Sequence, residues 1–148
     1  QADPIGQICV QDIAGDSTLA KELNRSVEDK KWKCAVAQIW VDRDRLWRKG
    51  CVTVTETRLR LKVYRRFRGS KILMEIPMQH LEVVAEPNTS HNVVLFVGDQ
   101  EITEYTLRVP NRVMFFAVVH VFGGTVTAFE PEADGQEGEE GVEEGMED

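Results

Sequence analysis

Histidine, cysteine and tyrosine are scarce in the 148 residues, at three, three and two. Cys9, Cys34 and Cys51 are odd in number and widely spaced, so they provide no disulfide framework and read as reduced thiols of a cytosolic or nuclear protein. No zinc spacing joins them to His80, His91 or His120. There is no Gly-rich phosphate loop and no nucleophile motif, so neither enzymatic activity nor a metal or cofactor is expected. The longest apolar run, Val113 to Phe122, is interrupted by His120 and too short to cross a bilayer, and no signal-peptide pattern precedes it. The chain opens on Gln1 rather than methionine and is expected to be a piece of a larger protein.

Positive charge is missing altogether from residues 130–148, which hold ten carboxylates. They account for more than the whole formal charge of −7: residues 1–129 carry 18 bases against 15 acids, a surplus of +3. Within that body, residues 43–71 hold eleven bases against Asp44 and Glu56. A basic-patched domain followed by an acidic tail is the result. The tail, rich in Glu and Gly and poor in apolar residues, cannot offset its ordering entropy and is expected to be disordered.

Residues 1–15, with Pro4, Gly6 and Gly15, read as a lead-in of low order. A helix is expected over 16–32, capped by Asp16 or Ser17, with Leu19, Leu23 and Val27 on one face. From Lys33 the period shortens to two. Arg58-Leu59-Arg60-Leu61-Lys62-Val63-Tyr64 alternates strictly, Cys51 to Thr55 does likewise, and Glu56-Thr57 leaves room only for a tight turn, which makes a hairpin. Further strands are expected at Ala35–Val41, Ile72–Ile76, Leu81–Ala85, Val93–Val97 and Glu104–Val109, between turn residues such as Gly69-Ser70, Pro87-Asn88 and Gly98-Asp99. Arg112–Phe122 suits a helix, with Asn111 as N-cap and Gly123 beyond its end, although its β-branched composition also allows a strand turning at Gly123-Gly124 into Thr125–Phe129.

Seven short strands followed by one apolar helix resemble the pleckstrin-homology-like superfold, in both its PH and GRAM branches, over about residues 33–123. Gly50–Thr55 with Arg58–Arg65 is similar to its second and third strands, Ile76-Pro77-Met78 through Val83 to its fourth and fifth, and Tyr105–Val109 to its seventh. The family's usual tryptophan in the C-terminal helix is replaced here by Phe115, Phe116 and Phe122. The resemblance implies a mainly β fold over 33–129, a seven-stranded partly open barrel or sandwich capped by the C-terminal helix. It also implies a non-catalytic interaction module.

The same resemblance implies that anionic headgroups bind between two loops. Here these are Asp42–Lys49, with Arg43, Arg45, Arg48 and Lys49, and Arg65–Lys71, with Arg65, Arg66, Arg68 and Lys71. Such bases suit multidentate phosphate contacts, while alternating Arg-x-Arg-x-Lys is also what the solvated face of an amphipathic strand looks like. On the C-terminal helix, Val113, Phe116, Ala117, His120 and Val121 form a face too apolar to be left in water, to be covered by the helix at 16–32 or by a partner. Trp47, among Arg45, Arg48 and Lys49, is the candidate anchoring residue of its loop. The leading expectation is a cytoplasmic adaptor or scaffold module that docks a protein partner, or a second copy of itself, through Val113, Phe116, His120, Val121 and Trp47. The alternatives are a phosphoinositide-dependent peripheral membrane adaptor using the eight bases, and a nuclear module for histones or acidic ligands, with nucleic acid the least expected partner.

Overall fold

Alternating burial governs the middle of the chain, and strands follow it. The computed structural model describes residues 4–128, so the expected disorder of 130–148 lies outside the described residues. Within them, helices α1 (Pro4–Ala14) and α2 (Ser17–Asp29) precede strands β1 (Lys31–Val41), β2 (Leu46–Thr55), β3 (Arg58–Arg65) and β4 (Gly69–Pro77). A 3₁₀ turn, Met78–His80, leads into β5 (Leu81–Ala85), β6 (Asn92–Val97), β7 (Gln100–Glu101) and β8 (Tyr105–Arg108), and α3 (Arg112–Val121) and β9 (Thr125–Ala128) complete the order.

All seven expected strands are present, β7 is additional, and β9 falls within the strand that the alternative reading allowed at Thr125–Phe129, here following a helix. One hydrogen-bonded path runs β4-β3-β2-β1-β8-β6-β5-β9, with β7 paired to β6. The sheet is partly open, and its inner face meets α3 in a single apolar core. β1 starts earlier than expected because its period breaks: the register with β2 slips between Cys34 and Ala37. This bulge flips the parity of the strand, so that Trp32 and Cys34 before it and Ala37, Ile39 and Val41 after it are all buried. α2 is correspondingly shorter than expected, ending at Asp29 with Lys30 left-handed at φ 59°.

The expected low-order lead-in is instead α1. Pro4 occupies the first turn, where its missing N–H costs nothing, and Gly6, Cys9 and Ile13 form one buried face. That face lies chiefly against α3. Gly6 is needed for the approach: a Cβ there would overlap the His120 imidazole, including its Cγ at 2.6 Å. α2 begins as expected, with Asp16 Oδ1 accepting from the backbone N–H of Thr18 (3.0 Å) and Leu19 (3.2 Å). Its inward face differs. Leu23 and Ser26 are buried while Val27 is exposed, because Trp32 Nε1 donates to Glu22 Oε2 at 2.8 Å and sets the roll of the helix on β1.

Arg112–Val121 is helical, as the caps favoured: Asn111 Oδ1 accepts from the Met114 N–H at 3.0 Å, and Gly123 beyond it has φ 102°. Its Met114 to Val119 run is buried on all sides, between the barrel and α1. Arg112, at its first turn, ties the helix to the β5–β6 connection by donating to the carbonyls of Asn92 (2.8 Å) and Thr89 (2.8 Å) and to Thr89 Oγ1 (3.2 Å). Burial lowers the pKa of this guanidinium, against the opposing attraction of Glu86. Arg112→Met, which keeps the aliphatic stem, is expected to cost about 2 kcal/mol by leaving these acceptors unpaired, measured as a fall in the urea midpoint at unchanged slope.

Candidate functional site

The β1–β2 connection is a tight turn in which the N–H of Asp44 (3.1 Å) and that of Arg45 (2.8 Å) both reach the Val41 carbonyl. Arg45 sits left-handed at φ 53° to close it. The Asp42 N–H donates to the Glu104 carbonyl at 3.0 Å, which fixes the turn against the segment before β8. Because β2 begins at Leu46, Arg48 and Lys49 are strand residues and not loop residues, a correction to the expected Asp42–Lys49 loop. Arg43 and Arg48 both pair with Asp44, at 3.3 and 3.4 Å.

The second basic segment is the tip of a hairpin. β3 and β4 pair up to Arg65 opposite Gly69, leaving Arg66, Phe67 and Arg68 as the turn. Arg65 donates through Nη2 to the Arg68 carbonyl at 3.3 Å, so its guanidinium is held by its own turn.

These two connections flank a cleft of about 610 Å³. Its basic lining is Arg43, Arg48, Arg65 and Lys71, its acidic lining is Asp42, Asp44 and Glu104, and Val41, Val63, Ile72, Leu73 and Tyr105 supply the apolar wall. Four of the eight expected bases are therefore brought together, from segments far apart in sequence. Arg45, Lys49, Arg66 and Arg68 lie outside the cleft lining, all exposed. Asp42 and Asp44 belong to the expected first loop, whereas Glu104 was not foreseen, since it reaches the site only through the pairing of β8 with β1. Among the described residues Arg65 and Lys71 are in no ion pair, whereas Arg43 and Arg48 share one carboxylate.

The expected partner-binding residues fare differently. Phe116 is only 5% exposed and Ala117 fully buried, so the helix face expected to need cover is covered from within, mainly by α1 and less by α2. Val113 and Val121 remain exposed at its margins, and His120 is half-buried against α1 at Gly6. Trp47 is not a loop residue. It lies in β2 directly opposite Trp40, ring centroids 5.7 Å apart, and beneath the Arg108 guanidinium at 3.9 Å. Arg108 is held there by Asn92 Oδ1 (3.2 Å) and Gln38 Oε1 (3.1 Å), so the indole is part of a built outer face of the sheet and not a free anchor.

Sequence reasoning passed over the aromatic residue that is free. Phe67, at the β3–β4 tip, is 94% exposed. The signal was an aromatic bracketed by arginines just before a turn glycine, Arg65-Arg66-Phe67-Arg68-Gly69. The cysteines offer no competing site. All three are buried, and burial raises the Cys34 thiol above its ordinary range, with Cys51 and Glu22 adding to the effect. No group of three or more His, Cys, Asp or Glu among the described residues is arranged to hold a metal, and no helix among them is long and apolar enough to cross a membrane.

No family model matches the chain, and no curated protein matches it. Among solved structures, the PH domain of human oxysterol binding protein-related protein 11 is similar with a TM-score of 0.50 at 12% identity, over 63% of this chain and 79% of that one. The Slm1 PH domain, solved in complex with inositol-4-phosphate, is similar with a TM-score of 0.44 at 13% identity, over 64% of this chain and 94% of its own. The chain has the pleckstrin-homology-like fold: a mainly β, partly open sheet closed by a C-terminal helix, here with two helices in front of it.

Proposed function

We propose that this domain is a non-catalytic module that attaches to membranes by holding a phosphorylated inositol headgroup between the β1–β2 and β3–β4 turns. The observation that carries the reading is the convergence of Arg43, Arg48, Arg65 and Lys71 on one cleft, whose volume of about 610 Å³ suits a small polar ligand. Three carboxylates also line the cleft, so a phosphate there competes with Asp44 for Arg43 and Arg48 while Arg65 and Lys71 meet it directly. Nucleic acid would favour a long uninterrupted basic track. Docking of a protein, or of a second copy, on α3 is disfavoured because α1 already occupies that face. The histone reading rests on residues 130–148, outside the described residues.

The test is co-sedimentation with phosphatidylcholine vesicles carrying a phosphoinositide, or carrying phosphatidylserine at matched surface charge, at about 0.1 M salt, where charge interactions reach about 10 Å. Binding to the phosphoinositide vesicles, displaced by a soluble inositol phosphate and stronger once residues 130–148 are removed, is expected. Equal binding to both vesicle types, or none by either form of the chain, overturns the headgroup reading.

A further inference from the structure

We propose that the β3–β4 tip is a membrane-penetrating wedge, with Phe67 entering the interface of an anionic bilayer while Arg65, Arg66 and Arg68 stay at the level of its phosphates. This deepens the headgroup reading and rests on it. Phe67 is the most exposed large apolar side chain among the described residues, at 94%. A single exposed apolar residue is ordinary, but here three further observations meet.

The first is backbone conformation. Phe67 is left-handed at φ 64°, a region that bulky residues rarely enter and where Asn or Gly would be at less cost. An aromatic side chain is thus held outward at a position whose backbone disfavours it, the kind of strain that collects at ligand-contacting sites.

The second is chemistry. Its neighbours Arg65, Arg66 and Arg68 are all exposed, and the Arg66 guanidinium lies 5.4 Å from the Phe67 ring centroid. An apolar tip ringed by long basic side chains matches an anionic lipid surface, where the ring reaches the acyl boundary and the cations remain among the phosphates. A dry pocket on a protein would have to desolvate those guanidiniums without equivalent partners.

The third is position. Arg65 and Lys71, which line the cleft, belong to the same hairpin, and the tip projects beyond the Arg65–Gly69 pair. Phe67 therefore stands at the tip of the same hairpin whose Arg65 and Lys71 line the cleft.

The experiment uses the full chain, with Phe67→Asn as the main variant because Asn tolerates the left-handed backbone and leaves the turn intact. Vesicle affinity is expected to fall about 10-fold, the equivalent of withdrawing most of one aromatic side chain from the interface, while affinity for a soluble inositol phosphate stays within about twofold. In parallel, Phe67→Trp is expected to keep vesicle binding and to show quenching by lipids brominated near the glycerol end of the chain, above that of Trp32, Trp40 and Trp47 in the parent protein. Unchanged vesicle affinity in Phe67→Asn, or fluorescence of the Phe67→Trp variant no more quenched than the parent's, overturns the wedge while the headgroup site stands, and leaves a protein pocket as the alternative contact of Phe67. Absence of phosphoinositide-dependent binding in the parent chain overturns both.

Discussion

Replacing Arg65 and Lys71 together by glutamate is expected to lower affinity for phosphoinositide vesicles by at least about 100-fold. Each is worth roughly 1.5 kcal/mol or more as a charge-assisted donor to phosphate, and two such losses already amount to two powers of ten before repulsion is counted. They are chosen because neither is in an ion pair among the described residues, so their donors meet a ligand without first leaving a carboxylate. Arg43 and Arg48 share Asp44, and part of what they give to a phosphate is offset by what they surrender. Lys49→Glu, on β2 outside the cleft, serves as the control: it makes the same charge change per residue and is expected to weaken binding less than about 10-fold, through the screened field alone. Surface plasmon resonance on supported bilayers measures the series. Thermal melts of all variants are expected to remain close to the parent, because these side chains are exposed and make no core contacts. Equal loss in the double variant and the control would reduce the site to a general positive field.

The second large effect is on stability and concerns α1. Ile13, 1% exposed in the core, is expected on truncation to alanine to cost about 3 kcal/mol, the usual range for a buried aliphatic that leaves a cavity. For a domain of this size that is roughly a 10 °C fall in melting temperature. Gly6→Val attacks the same contact from the other side. Its branched side chain cannot fit against His120, where even a Cβ meets the His120 Cβ at 2.7 Å, so α1 must lift rather than adjust. Lifting α1 bares Phe116 and its neighbours on α3, and binding of a hydrophobic dye to the folded variant is the expected signature. A Gly6→Val protein with parental stability and no dye binding would mean that α1 is not the cover of that helix.

Much of the barrel was legible in the residues, and the exceptions have particular causes. β3 could be read directly because Leu59, Leu61 and Val63 face the core with no interruption between them. β1 could not be read from its start, because the bulge at Ala35-Val36 reverses which parity faces inward, and a bulge is settled by pairing with β2 and not by the strand's own sequence. β9 was legible only as the strand alternative at Thr125–Phe129 with its Gly123-Gly124 turn; that it follows a helix and pairs in parallel with β5, a partner some forty residues earlier, is not written in its own residues. α1 was hidden by Pro4 and Gly6, residues that usually break helices, which here stand where a first turn and a close helix contact require them.

The same division holds at the site. The richness of residues 43–71 in Arg and Lys identifies the charged region, and the caps at Asp16 and Asn111 mark where helices start, because composition and capping are local properties. Which four of eight bases share a cleft, that Glu104 joins them, that Trp47 lies under Arg108 while Phe67 stands free, and that α1 covers Phe116 all depend on strand register and helix packing. The sequence alone determined the alternation, the caps and the sign of the charge. Only the tertiary structure decided which side chains meet, because a one-residue shift in pairing exchanges the inner and outer faces of a strand.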